Sequence, residues 1–419
     1  MTDVMQIALA AKEASRMCAC TSGAQRNEAL VAMAAALRDH TSSIVQENER
    51  DMKTARDGGT PAPLLDRLML NASRIESMAG ALEDLATLED PIGRVQESRT
   101  LDSGVQMSRV SVPLGVVAMV YEARPNVTAD AAGICIKSGN ACILRGGSLA
   151  FHSNNIIADI LHAAAVSAGM PANCICAIKT TDRSATDELL HMRGIVDVLI
   201  PRGGAGLISH CVENATVPVI ETGLGNCHIY VHDPANLQMA QDILLNAKCQ
   251  RPGVCNAAES LLVDASIARA AYGVLLPALH SAGVLIHADD TAAAVAQQAG
   301  IPFEAAKEED WGREYLDMEI SVKTVSGLDE AISHINHYGT GHSEAIITED
   351  AHAANRFLAG VDAAAVYWNA STRFTDGAEF GLGAEIGIST QKLHARGPFA
   401  LEALTTYKYL LRGSGQVRG

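Results

Sequence analysis

The sequence predicts an α/β fold with two parallel-sheet domains in tandem, and three observations carry that prediction. From Gly115 onward, short apolar, β-rich runs alternate with helical stretches, the βαβ pattern of a mostly parallel sheet. The alternation occurs twice, starting afresh near residue 226 and ending at Trp368. At roughly 150 residues per domain, 419 residues leave room for two or three domains with ample core.

The first ninety residues carry Ala and Leu at helical period among Asp, Glu and Arg, as in Arg26 to Leu37 and Ile75 to Leu88, with Pro61 and Pro63 as breaks. Val105 to Val112 then reads as a strand. In the first series, Gly115 to Tyr121, Ala141 to Leu144, Cys174 to Ile178, Val196 to Ile200 and Pro218 to Ile220 read as strands. Helices are expected between them at Asn126 to Lys137, Asn154 to Ala168, Ser184 to His191 and Ala205 to Glu213. The second series offers strands at His228 to Val231, Leu261 to Val263, Val284 to His287, Glu319 to Val325, Ala345 to Thr348 and Ala364 to Trp368. Ser371 to Gly377 and Phe380 to Gly383 then have the glycine-rich, polar composition of loops that border a cleft. The tail Thr405 to Leu411 is strand-like, and either it or Val105 to Val112 can pair at a sheet edge or with another subunit. Domains are expected at 1–226 and 227–369.

Composition narrows the function. Hydrophobic residues make up 48% and charged residues 19%, a globular mix. A net charge of −16 disfavours nucleic acid and anionic membrane surfaces as partners. No window approaches the 18 or so apolar residues of a spanning helix, and the N-terminus has neither a secretory nor a transit pattern, so the expected compartment is the cytoplasm. Ten scattered cysteines fit reduced thiols rather than a disulfide framework. The pairs Cys18/Cys20 and Cys174/Cys176 lack a second ligand pair, so no metal is expected.

Among the glycine motifs, Gly223-Leu224-Gly225 and Gly381-Leu382-Gly383 do not run from a strand into a helix and read as turns rather than a dinucleotide fingerprint. Arg145-Gly146-Gly147-Ser148 and Arg202-Gly203-Gly204-Ala205-Gly206 do follow a strand and precede a helix, where backbone N–H groups and an arginine can meet phosphates. Of the cysteines, Cys255 lies in a loop of Arg, Pro, Gly and Asn between a helix and a strand, where a partly exposed thiol near a cation can act as a nucleophile. Cys249, in the same segment, competes for that role; spacing alone does not rank the two.

Company bears on Cys255. Glu221, in Glu221-Thr222-Gly223, stands some 34 residues before Cys255, and Asn126 follows the first strand of the sheet in Arg124-Pro125-Asn126-Val127. In these residues the chain resembles the aldehyde dehydrogenase superfamily. Within it, Tyr121 to Thr128, Ile200 to Gly206, Gln250-Arg251-Pro252, Cys255 to Glu259, Gly341 to Ala345 and Asn369 to Gly377 are similar to the γ-glutamyl phosphate reductase family, from the N-terminal helices to the Leu404 to Lys408 tail. Cys249, Gly253 and Leu149 depart from that pattern, where Thr, Ser and an acid are usual.

The resemblance implies an aldehyde dehydrogenase-like fold and NADPH-dependent reduction of L-glutamyl 5-phosphate to glutamate 5-semialdehyde and phosphate, the second step of proline biosynthesis from glutamate. It further implies a thioester on Cys255, an oxyanion held by the Asn126 side chain and the Cys255 backbone N–H, and a Glu221 that is either a general base or a structural residue. Cofactor contacts are implied at Arg145, Gly146, Gly147, Ser148, Arg202, Gly203, Gly204 and Glu314, and substrate contacts at Arg251, Arg373 and Arg396. Arg145, with no carboxylate at Ser148 or Leu149, points to NADP over NAD. That 370–419 returns to the first domain and supplies a small oligomerisation element, its tail, is implied by the resemblance, as are a homo-oligomer and functional coupling to the glutamate 5-kinase that makes the substrate. A hydrolytic NAD-dependent semialdehyde dehydrogenase and a non-catalytic scaffold are the rival readings; the first needs no phosphate, and the intact Asn126, Glu221 and Cys255 set argues against the second.

Overall fold

The computed structural model describes residues 2–418, in two compact units. Of the described residues, the first comprises 2–222, 381–387 and 399–418, and the second 223–380 and 388–398.

The first unit opens with five helices: α1 (Asp3–Cys18), α2 (Gly23–Asp39), α3 (Thr41–Asp57), α4 (Ala62–Leu68) and α5 (Ala72–Thr87). Thr2, Ser22 and Asn71 cap α1, α2 and α5 by accepting backbone N–H groups with their side chains. Pro61 precedes α4 and Pro63 falls in its first turn, where a missing N–H costs nothing. Strands β1 (Val95–Thr100) and β2 (Gln106–Pro113) form an antiparallel sheet with the tail strand Thr405–Arg412, in the order β1, β2, tail. The two strands read as edges therefore pair with each other. β1 was not expected, because its sequence VQESRT is almost wholly exposed and shows no apolar alternation.

A four-stranded parallel sheet follows, built from β3 (Val116–Tyr121), α6 (Asn126–Lys137), β4 (Ala141–Gly146), α7 (Phe151–Ser167), β5 (Ile175–Ala177), α8 (Ser184–Leu190), β6 (Val198–Arg202) and α9 (Ala205–Asn214), in the order β5-β4-β3-β6. Every residue of β3 is buried, which explains its unbroken apolar run. Pro218 to Ile220 is not a strand: only a single bridge, Leu199 to Val219, joins it to β6. Pro218 has no N–H to give a ladder.

The second unit holds β7 (Cys227–Val231), α10 (Leu237–Cys249), β8 (Ala258–Asp264), α11 (Ala268–Ser281), β9 (Leu285–Ala288), α12 (Asp290–Gln298), β10 (Glu304–Ala305), β11 (Glu319–Val325), α13 (Leu328–Tyr338), β12 (Ser343–Ile347), α14 (Ala351–Gly360) and β13 (Ala365–Trp368). Its seven strands are all parallel, in the order β10-β9-β11-β8-β7-β12-β13. Its core packs Ile229, Val231, Leu261, Val263, Ile320, Val322, Ala345 and Ile347 against Leu244, Tyr272 and Leu275. The expected boundary at residue 370 falls elsewhere. Residues 370–380 stay with this unit because Asn256 donates to the Thr375 carbonyl (2.9 Å) and Thr372 Oγ1 donates to the Asn256 carbonyl (2.8 Å).

Candidate active site

In the second unit the sequence folds a loop between α10 and β8 that carries Cys255, half-buried, with Arg251 exposed beside it. Gln250, Pro252, Gly253 and Asn256 cannot extend either element as a core strand or helix would, so the chain turns here. The Cys227 thiol, at the start of β7, donates to the Cys255 carbonyl at 3.2 Å. Burial, and then the negative charge of Glu344, push the Cys227 thiol well up, which keeps it a proton donor rather than a competing nucleophile. Cys249 ends α10; burial raises its thiol and the Lys248 charge opposes the rise.

Gly225 packs directly on the nucleophile loop: a Cβ there would fall 1.5 Å from the Cys255 carbonyl oxygen. No other residue fits. The Gly225 N–H in turn donates to Glu314 Oε1 at 2.7 Å, so Glu314 lies one peptide away from the Cys255 backbone. Burial raises the Glu314 carboxyl, and this hydrogen bond opposes the rise.

Arg373 is held in place by Asn256 and Gln250. The Asn256 amide donates to the Thr375 carbonyl, and Arg373 Nε donates to Gln250 Oε1 at 2.9 Å. Burial lowers the Arg373 guanidinium, followed by the repulsion of Arg251, while the charges of Asp376, Cys255 and Cys227 act the other way. Two arginines and two thiols thus share one electrostatic neighbourhood, suited to an anionic group and to a thiolate. Arg396 is different. Its guanidinium is committed to Asp362 at 2.7 Å, beside Lys392 on the same carboxylate.

In the first unit Asn126 is the first residue of α6, and its amide donates to Asp130 Oδ2, one helical turn on, at 3.0 Å. Burial pushes the Asp130 carboxyl up to about 6, against the Asn126 hydrogen bond and the Arg202 charge. Asp130 fixes one amide hydrogen of Asn126 and leaves the second for another acceptor. Asp130 was not foreseen; its position four residues after Asn126 was the available signal. Glu221 is half-buried at the end of this unit, before Thr222, whose Oγ1 donates to the Pro201 carbonyl.

The two glycine turns of this unit also differ from their simplest reading. At Arg202-Gly203-Gly204 the Gly204 N–H, at the start of α9, donates to Glu122 Oε2 at 3.0 Å. A carboxylate therefore takes up a backbone N–H at the start of α9, and the turn holds an anionic group of the chain itself. Arg145 is 8% exposed and donates to the carbonyls of Gly146 (3.2 Å), Thr181 (3.3 Å) and Asp182 (3.1 Å). It pins the turn before Arg183, the cation whose charge, after burial, lowers the Arg145 guanidinium. Gly147 and Ser148 lead into the helical turn before α7.

The two parallel α/β units and the cysteine loop between a helix and a strand define an aldehyde dehydrogenase class of protein. The aldehyde dehydrogenase family model matches residues 1–297. The chain is 55% identical to the gamma-glutamyl phosphate reductase of Moorella thermoacetica, over 97% of each chain, and 51% identical to that of Lachnospira eligens over the full length of both. The crystal structure of the gamma-glutamyl phosphate reductase of Thermotoga maritima superposes with a TM-score of 0.97 at 43% identity, covering both chains completely. An acetylating aldehyde dehydrogenase from Geobacillus thermoglucosidasius, at 19% identity and a TM-score of 0.68, shares the fold. The chain belongs to the aldehyde dehydrogenase family, in its gamma-glutamyl phosphate reductase branch. Among the described residues no helix is long and apolar enough to cross a membrane.

Proposed function

We propose that this chain reduces L-glutamyl 5-phosphate to L-glutamate 5-semialdehyde and phosphate through a thioester on Cys255, with NADPH as reductant, in the second step of proline biosynthesis. The observation that carries the reading is the Cys255 loop, where a nucleophilic thiol shares its surroundings with Arg251 and Arg373. The Cys255 thiolate attacks the acyl carbon, and the carbon–oxygen bond to phosphate breaks as phosphate leaves. Arg373 and Arg251 neutralise the departing phosphate. The Cys255 N–H donates to the oxygen on which charge builds, and the family resemblance implies the Asn126 amide, one of whose hydrogens Asp130 takes, as the second donor. When bound, the reduced nicotinamide supplies the hydride that takes the acyl group to the aldehyde level. Collapse of the resulting thiohemiacetal expels the Cys255 thiolate and frees the semialdehyde.

The anion-holding Gly204 turn supports a site for the cofactor's phosphates at Arg202, Gly203 and Gly204, where the Glu122 carboxylate acts as the stand-in anion. Glu314 would hold the ribose on the nicotinamide side, while Arg145, Gly146, Gly147 and Ser148 would take the adenosine side. The preference for NADPH rests on Arg145 and on Arg183, which Arg145 positions, with no carboxylate at Ser148 or Leu149. Glu221 has a structural role, because a reductase must keep activated water from its thioester. The setting is the cytoplasm, in a homo-oligomer functionally coupled to glutamate 5-kinase, whose acyl phosphate product is the substrate.

The test runs the reaction backwards. Semialdehyde oxidation should require inorganic phosphate or arsenate, and oxidation at full rate without either would establish a hydrolytic dehydrogenase instead.

A further inference from the structure

Lys248 and Glu259 form an ion pair at 2.6 Å with both side chains fully buried. Removing two charges from water costs several kcal/mol each, and well-packed apolar side chains of similar volume would serve stability as well or better. The pair therefore calls for a reason other than stability, and its placement supplies one. Lys248 stands in the last turn of α10 and Glu259 is the second residue of β8, so the pair closes the base of the loop that carries Cys255.

Glu259 also reaches a second segment. Its Oε1 accepts the backbone N–H of Leu316 at 3.3 Å. Leu316 is a non-glycine residue with φ +56°, a left-handed conformation that costs of order 1–3 kcal/mol unless its surroundings hold it. Two residues earlier, Glu314 accepts the Gly225 N–H, and Gly225 packs on the Cys255 carbonyl. The contacts form a circuit: Cys255 loop, Lys248, Glu259, the Leu316 turn, Glu314, Gly225 and back to the Cys255 backbone. Burial pushes the Glu259 carboxyl up to about 7, with Lys248 opposing, so the pair sits at a balance that removing either partner would upset.

We propose that Lys248 and Glu259 are positioning residues, a buried clasp that fixes the Cys255 loop and the Glu314 turn relative to one another. The catalytic meaning of this inference rests on the reductase reading; the alkylation readout below does not. The clasp sets the direction of the thiol and the station of Glu314, so its loss is felt in turnover and in thiol reactivity rather than in folding.

The experiment compares the full-length wild type with Lys248→Met/Glu259→Leu, which keeps approximate volume and removes both charges, and with Glu259→Gln. Three readings are taken: the unfolding temperature, kcat and KM in the phosphate-dependent oxidation of the semialdehyde, and the iodoacetamide alkylation rate of the Cys255 peptide by mass spectrometry without cofactor. The double variant should unfold near the wild-type temperature, with kcat reduced on the order of tenfold to a hundredfold and the Cys255 alkylation rate altered at least about threefold, the size expected when a reacting group is misplaced by a fraction of an ångström. A double variant with wild-type kcat and alkylation rate overturns the clasp. Should the double variant fail to fold, Glu259→Gln decides: a severalfold loss of kcat with an altered alkylation rate supports the clasp, and wild-type values of both overturn it. A wild type without phosphate-dependent activity would refute the reductase reading and leave the alkylation comparison to judge the clasp.

Discussion

The basic glycine turn of the first unit and the nucleophile loop of the second pose the same problem, an arginine next to a glycine-bearing bend, and solve it differently. Arg145 spends its guanidinium on three backbone carbonyls and is nearly buried. Arg373 is anchored through its Nε by one glutamine and stays in the electrostatic company of Arg251 and Cys255. What an arginine does follows from where its donors go, which residue type does not reveal. The first holds a turn, and the second is held through one nitrogen beside another arginine and a thiol.

Deleting the nucleophile should produce the largest effect. Cys255→Ala should abolish turnover with the unfolding temperature unchanged, because a covalent step has no substitute group, while Cys249→Thr should leave kcat at the wild-type level. Steady-state assays with thermal melts check both, and an active Cys255→Ala would break the comparison at its root.

Next come the arginines. Arg373→Gln removes a charge-assisted hydrogen bond worth about 1.5–3 kcal/mol, so KM for phosphate in the oxidative direction should rise roughly ten- to a hundredfold. Arg396→Gln should do far less, since its charge is spent on Asp362 in an exposed pair worth about 0–1 kcal/mol. Equal losses from the two substitutions would erase the distinction between a guanidinium held through one nitrogen by a glutamine and one spent on a carboxylate.

On the first-unit side, Arg145→Ala should lower the unfolding temperature by leaving the Thr181 and Asp182 carbonyls without their donor, at about 1–3 kcal/mol, and should weaken the preference for NADPH over NADH. Arg183→Ala should weaken that preference without the loss of stability. Measuring kcat/KM for both cofactors in both variants separates positioning from direct contact, and a preference untouched in both would remove this turn from cofactor selection.

The smallest effect concerns pH. Burial lowers His334 to about 3, helped by the charges of His228 and Lys323, and lowers His342 to about 4. A histidine with a depressed folded value binds fewer protons than the unfolded chain. Stability should therefore be full above about pH 6.5 and decline as pH falls from there towards 4, by at most about 1.4 kcal/mol per pH unit for each group. His334→Leu should make the acid limb of the melting curve shallower, and an identical limb would show that other groups control it.

Much of this architecture was legible. Asn126–Lys137 and Glu319–Val325 have the predicted bounds, because a proline precedes the first and β-branched Ile320, Val322, Thr324 and Val325 recur along the second. The apolar strands of both sheets were readable as buried. Val95–Thr100 was not, since a strand exposed on both faces has no alternation to detect. Pro218 to Ile220 imitated a strand by composition while lacking the N–H that would make it one. In the site, Cys255, Arg251 and Arg373 could be picked out together, but the partners that give each its character could not. Glu122 on the Gly204 N–H, Asp362 on Arg396 and Glu259 on Lys248 are separated from those groups by 82, 34 and 11 residues, and only folding brings them together.

The most direct test of the central claim is to mix the wild-type enzyme with glutamate 5-semialdehyde and NADP without phosphate, quench in acid, and determine the mass of each cysteine peptide. A glutamyl acyl group on the Cys255 peptide, discharged when phosphate is added before the quench, is the predicted result. Turnover with Cys255 unmodified, or an acyl group on Cys249 instead, would contradict it.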